Sequence, residues 1–260
     1  MSTILEARSV SKHFGGLKAV DNVSMRIGEG EIFGIIGPNG AGKTTFFNVC
    51  SGFYKPTAGR ITFRDQDITG KPPEEIARLG ISRTFQNIRL FKYMTVLENV
   101  KIGFHVRTTV GMVSAVLRNR KFAAEERSTE EEALEIVEEV GLTGHKDTLA
   151  SNLAYGLQRR VEIARALAIK PKLLLLDEPV AGMNPQETRE LSVFLQALNR
   201  QGYTIVVIEH DMSFVMKTCS RILVLNFGEK ICEGTPETVT RDPAVAEAYF
   251  GKGLALGKKP

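Results

Sequence analysis

The strongest chemical signal in the sequence is Gly37-Pro-Asn-Gly-Ala-Gly-Lys-Thr-Thr45, which satisfies the pattern G-x-x-x-x-G-K-[ST] at Gly37, Gly42, Lys43 and Thr44. Its glycines let the backbone turn successive N–H groups inward, and the helix predicted behind it adds the positive end of a dipole, so the loop is built to hold a phosphate. Lys43 is the only side-chain cation in the loop and is placed to reach the β- and γ-phosphates of a nucleotide. The Thr44 hydroxyl is the candidate Mg²⁺ ligand. Gly40, Ala41 and Thr45 contribute mainly backbone donors, and Pro38 and Asn39 complete the loop. The alternative, an ordinary glycine-rich turn, is weak given four fixed positions.

Three further groups could act on a bound phosphate. Lys172 to Asp177 reads as a buried strand ending in Asp177-Glu178-Pro179, and open parallel sheets place their ligands at the carboxyl ends of strands. Alternation along the chain would turn these two carboxylates apart, one to hold Mg²⁺ and the other to poise a water for in-line attack. His210 follows the apolar strand Tyr203 to Glu209 and is placed to reach a γ-phosphate, although a lone histidine is usually structural. Leu153-Ala-Tyr-Gly156-Leu-Gln-Arg-Arg160 is a second small-residue loop opening a helix, where free N–H groups could meet a phosphate. Phe14, beside Gly15-Gly16, is either a platform for a base or a packed strand-end residue; taken alone, packing is favoured.

These residues need an α/β scaffold. Ile32 to Ile36 is the strand leading into the phosphate loop, and Thr45 to Cys50 continues as a helix. Ile4 to Val10, Val23 to Ile27 and Arg60 to Phe63 read as strands of a small flanking sheet, with a helix over Glu74 to Leu79. From Gln86 to about Ala168 the pattern turns helical: Ser128-x-x-Glu131 reads as a capping box, Leu134, Val137 and Val140 as a buried stripe, and Gly111 to Lys121 as a further helix. Arg221 to Leu225 and Lys230 to Glu233 form a hairpin, Pro236 to Tyr249 a helix, and Gly251 to Pro260 a basic tail.

Composition sets outer limits. The 260 residues can bury a sizeable core, and 43% apolar with 25% charged residues is ordinary for a globular chain. A net charge of +4 does not argue for nucleic acid. Cys50, Cys219 and Cys232 are widely spaced and suggest neither a disulfide framework nor a zinc site. Neither a signal peptide nor a membrane span is expected.

In order and spacing these motifs resemble the nucleotide-binding subunit of ABC transporters over nearly the whole chain. The resemblance implies a P-loop ABC ATPase with a mostly parallel core sheet, an N-terminal antiparallel β subdomain and an inserted helical subdomain. Residues 1–87 and 169–235 would be the catalytic core, 88–168 the helical subdomain, and 236–260 a C-terminal helix and tail. It implies ATP and Mg²⁺ as ligands, with Phe14 stacking on adenine, Thr44, Gln86 and Asp177 at the metal, Glu178 as catalytic base, His210 as the switch histidine, and Ala154, Tyr155 and Gly156 in the signature loop. Two subunits would close head to tail on ATP, each a homo- or heterodimer partner of the other. Arg83-Thr-Phe-Gln-Asn-Ile-Arg-Leu-Phe91, Ala181-Gly-Met-Asn-Pro185 and Glu209-His-Asp-Met212 are most similar to the ATPase of bacterial branched-chain amino-acid importers. That similarity implies integral membrane permease partners, an indirect link to an extracytoplasmic binding protein, and a place on the inner face of the cell membrane. Leu157 and Asn184 depart from the family's usual glutamine and aspartate. Another cargo such as urea, a soluble ABC ATPase and a P-loop kinase are the alternatives; the kinase leaves Gln86, the 153–160 loop and His210 without purpose. Ile88, Leu90, Phe91, Tyr93, Met94 and Val96 fit no single helical or strand face, so some face out of the local element. The resemblance implies a groove there for a short helix of the membrane subunit; the alternative is that all six pack in the helical subdomain's own core.

Overall fold

The computed structural model describes residues 2–106 and 120–250. It divides into two compact units, one of Met1–Ile76 with Leu175–Pro260 and one of Ala77–Leu174.

The first unit opens with β1 (Thr3–Phe14) and β2 (Leu17–Gly28), paired antiparallel around Gly15-Gly16 with Phe14 opposite Leu17. Both strands outrun the apolar segments that signal them, because Lys12 and His13 pair through their backbones with Val20 and Lys18 whatever their side chains do. Next come β3 (Ile32–Ile36), α1 (Lys43–Cys50), β4 (Ala58–Phe63), β5 (Gln66–Asp67) and α2 (Pro73–Arg78). β2, β1, β4 and β5, in that order, make a four-stranded antiparallel sheet.

The second unit holds the short strand β6 (Ile81–Arg83) and the helices α3 (Val96–Gly103), α4 (Arg120–Glu139) and α5 (Tyr155–Leu167). Ser128 lies inside α4, so the capping box expected there does not start the helix. The buried stripe is Ala133, Ile136, Val137 and Val140, while Leu134 is exposed. Apolar periodicity detects only the packed half of such a helix; the polar half upstream stays helical without it. The helix expected over Gly111 to Lys121 falls outside the described residues except for Arg120 and Lys121, which open α4.

β7 (Leu173–Asp177) leads back into the first unit, followed by α6 (Pro185–Arg200), β8 (Thr204–Ile208), α7 (Met212–Thr218), β9 (Arg221–Asn226) and β10 (Glu229–Gly234). The main sheet runs β10-β9-β3-β8-β7, with β3 parallel to β8 and β9 and the β9–β10 hairpin antiparallel at its edge. Every residue of β3, β7 and β8 is buried, as expected of parallel strands covered on both faces. The expected C-terminal helix is two, α8 (Pro236–Arg241) and α9 (Pro243–Phe250), because Asp242 precedes a proline and takes an extended ψ of 119°. The basic tail lies outside the described residues. Among the described residues no helix is long and apolar enough to cross a membrane.

Candidate functional site

The phosphate loop is held open by its glycines. A Cβ on Gly37 would lie 2.1 Å from the Leu225 carbonyl oxygen and one on Gly42 2.3 Å from that of Ala19, and both have positive φ. Only glycine fits where the loop passes so close to neighbouring backbone. Gly42 is also the N-cap of α1, which has no side-chain cap, so the first N–H groups of the helix keep their donor capacity. Gly40 to Thr45 line a cleft of about 490 Å³ together with Leu17, Lys18, Ala19, Asn39, Glu178 and Phe227. Lys43 is buried, and its ammonium donates to the carbonyls of Gly37 (2.7 Å) and Pro38 (3.0 Å), leaving a third donor for a ligand. Desolvation lowers its pKa, and the charges of Glu178 and Glu209 partly offset that shift.

Asp177 ends β7 and is 4% exposed. Glu178 lies beyond the strand with φ of 44°, a left-handed backbone that costs a non-glycine residue about 1–3 kcal/mol unless its surroundings hold it. Strand alternation therefore does not set its direction; the backbone turn does, with Glu178 N–H bonded to the Ile208 carbonyl at 2.9 Å. His210 Nδ1 stands 3.8 Å from Glu178 Oε2 and 3.6 Å from Glu209 Oε2. The first unit thus brings the expected base and the expected γ-phosphate contact to adjacent turns. Glu209 was legible only as the end of an apolar strand. Its carboxylate is fully buried, and burial raises its pKa against the backbone N–H donors of Val180, His210 and Asp211.

Phe14 is 43% exposed, not packed, meeting Tyr54 edge-on at 5.4 Å with the Lys12 ammonium 4.9 Å from its ring centroid. Asn184 is the N-cap of α6, accepting from Gln186 N–H and Glu187 N–H in a capping box.

Gln86 and the loop at Ala154, Tyr155 and Gly156 belong to the second unit. Gln86 is exposed just after β6, and its backbone is tied to α5. Arg159, with no exposed side-chain surface, donates to the carbonyls of Phe85 (2.8 Å) and Gln86 (3.0 Å) and pairs with Glu162 at 2.6 Å. Ala154 caps α5 without a side-chain bond, and Ala154 and Tyr155 are exposed. Of the apolar run that follows Gln86, Val96 is core, Ile88, Leu90 and Met94 are half-buried, and Phe91 (51%) and Tyr93 (91%) are exposed. Buried Asn99 brackets that turn: its Nδ2 donates to the carbonyls of Phe91, Met94 and Thr95, and its Oδ1 accepts from Phe91 N–H. Sequence reading missed Asn99, whose only signal is an amide on the apolar face of a short helix.

Residues 20–181 match the ABC transporter family, and 229–255 match the branched-chain amino acid ATP-binding cassette transporter family. The chain belongs to the ABC transporter family. This ABC ATPase is 46% identical over 250 residues, 96% of its own length and 98% of the relative's, to the high-affinity branched-chain amino acid transport ATP-binding protein LivG of Salmonella typhimurium. It superposes with a TM-score of 0.85 on the ADP conformation of an ATP-binding cassette of an ABC transporter, at 37% identity, covering 97% of this chain and all of that one. A dimeric bacterial ABC transporter cassette aligns with a TM-score of 0.73 at 28% identity, over 90% of this chain and 99% of that one. The ABC ATPase therefore binds ATP and hydrolyses it as a subunit of a transporter.

The oxygens expected at a metal in the first unit, the Thr44 hydroxyl and the Asp177 carboxylate, are hard donors. Among the described residues no group of three or more His, Cys, Asp or Glu side chains is gathered that could by itself hold an ion. That set fits Mg²⁺, which takes one or two protein ligands and completes its shell with phosphate oxygens and water.

Proposed function

We propose that this ATPase powers a membrane importer for branched-chain amino acids, and that two ATP-binding subunits close on ATP to drive its permease subunits. The reading is supported by similarity that runs through the nucleotide site into the C-terminal segment, where residues 229–255 match a family specific to branched-chain amino-acid cassettes.

In this reading Lys43 and the N–H groups at the start of α1 hold the β- and γ-phosphates. Phe14 supplies a π face to adenine. Thr44 and Asp177 would hold Mg²⁺, which when bound would neutralise phosphate charge. Glu178 takes a proton from the attacking water as its oxygen bonds to the γ-phosphorus and the bond to ADP breaks, and His210 contacts the γ-phosphate. Ala154, Tyr155 and Gly156 lead a helix N-terminus that faces the partner subunit's nucleotide. The exposed Phe91 and Tyr93 receive a permease segment, which would hold the subunit at the inner face of the membrane; aromatic side chains suit a helix-in-groove contact.

Reconstitution with candidate permease subunits tests the cargo. Binding protein loaded with leucine, isoleucine or valine should stimulate ATP turnover in the assembled complex. Stimulation by urea or by another amino acid in their place would reassign the cargo, while failure to assemble with any integral membrane protein would remove the transport reading.

A further inference from the structure

Glu209 directly follows β8, and its side chain has no exposed surface. Oε1 accepts the N–H of Val180 at 2.9 Å, and Oε2 accepts the N–H of His210 at 3.0 Å and, more weakly, that of Asp211 at 3.5 Å. The same Oε2 is 3.6 Å from His210 Nδ1. One carboxylate therefore bonds both the turn that follows Glu178 and the turn that carries His210.

Two facts make this more than loop capping. Glu178 sits in a left-handed conformation that a side-chain-bearing residue keeps only when its neighbours over-determine it. Among the bonds that hold its turn to the β8 end are Glu178 N–H to the Ile208 carbonyl and Val180 N–H to Glu209. Moreover, the Glu209 charge is one of the two that offset the desolvation of Lys43 in the phosphate loop. An ionised carboxylate accepts on both oxygens; an amide has one acceptor oxygen and would point an N–H₂ at a backbone donor.

We propose that Glu209 is a positioning residue for hydrolysis, whose buried carboxylate holds the Glu178 turn and His210 in register with one another. It acts through those two groups and touches no reacting atom. The inference rests on the roles proposed above for Glu178 and His210.

The test is Glu209→Gln in the full-length protein, with ATP affinity, melting temperature and steady-state kinetics measured beside Glu178→Gln and His210→Ala. ATP affinity and KM should stay within about threefold of the parent while kcat falls about tenfold or more, the pattern of an interaction that matters only in the transition state. In the His210→Ala background the same substitution should slow turnover much less than it does in the parent, because coupled residues are non-additive. Turnover of Glu209→Gln within about twofold of the parent overturns the inference. So does a parallel loss of ATP binding, melting temperature and turnover, or a full multiplicative effect in the His210→Ala background. If Glu209→Gln does not fold, Glu209→Thr, which keeps one acceptor in a smaller side chain, is held to the same criteria. Parent-like turnover of Glu178→Gln would instead defeat the hydrolytic assignment itself, which separates the two failures.

Discussion

Arg159 donates from Nη2 to the backbone carbonyl of Gln86 at 3.0 Å, tying the first turns of α5 to the segment that carries the glutamine. The guanidinium also holds the Phe85 carbonyl and is neutralised by Glu162, while Glu162 Oε1 accepts from Phe85 N–H at 3.4 Å. Breaking a buried pair by removing one partner leaves an uncompensated charge, so Arg159→Met should destabilise the protein by about 3–5 kcal/mol. Arg159→Met combined with Glu162→Leu should lose less than the single variant. Urea unfolding of the two variants checks this; equal loss in both would show that the backbone bonds, not the buried charge, dominate.

Acid sensitivity should concentrate in the antiparallel sheet. Hydrogen bonds from Arg8 and Arg26 hold the Glu6 carboxyl down at about 2, below its ordinary value of 4.5. A depressed carboxylate stabilises the fold above its unfolded pKa, and that contribution is lost as pH falls from about 4.5 toward 2. Urea midpoints measured across this window should fall more steeply for the parent than for Glu6→Gln. Identical slopes would remove the assignment.

Nucleotide capture is read from Lys43 and Phe14. Lys43→Ala removes charge-assisted bonds worth about 1.5–3 kcal/mol each, so ATP affinity by calorimetry should fall at least about tenfold. Phe14→Ala removes an exposed ring and should leave the melting temperature unchanged. A stacking contact with adenine, worth about 0.5–1.5 kcal/mol, predicts weaker ATP binding by a few-fold at most. Unchanged affinity would leave Phe14 to its contacts with Tyr54 and Lys12.

The phosphate loop, the strands around it and the Asp-Glu pair were legible in the sequence because each rests on local signals: fixed glycines, continuous apolar runs and their ends. Glu209 and Arg159 were not, since each is a polar residue made important by backbone groups that lie far away in sequence, and Asn99 was not, since its partners belong to an irregular turn that no periodic pattern announces. Asp242-Pro243 did announce the break between α8 and α9, since a residue before proline disfavours the helical backbone, and reading Pro236 to Tyr249 as one polar helix passed over it. The turn at Glu178 was beyond reach for another reason: nothing in Asp-Glu-Pro dictates a left-handed glutamate.

Phe91 and Tyr93 test the coupling surface. Both are exposed on a turn that Asn99 holds from beneath, so Phe91→Ala and Tyr93→Ala should melt and hydrolyse ATP as the parent does. Assembly with the permease, followed by co-purification, should be lost. Parent-like assembly and transport in both variants would place the docking surface elsewhere. Asn99→Ala, in contrast, removes the acceptor of the Phe91 N–H and the amide that bridges the turn, and should lower stability by about 1–3 kcal/mol.

The most direct test of the account is ATP turnover by Glu178→Gln at saturating ATP, because glutamine keeps the shape of the side chain and cannot take the proton. Turnover should fall by about 10²–10⁴ while ATP stays bound, with the protein accumulating as an ATP-bound dimer. Hydrolysis at the parent rate would contradict the assignment of this carboxylate, and with it the mechanism by which the subunit drives transport.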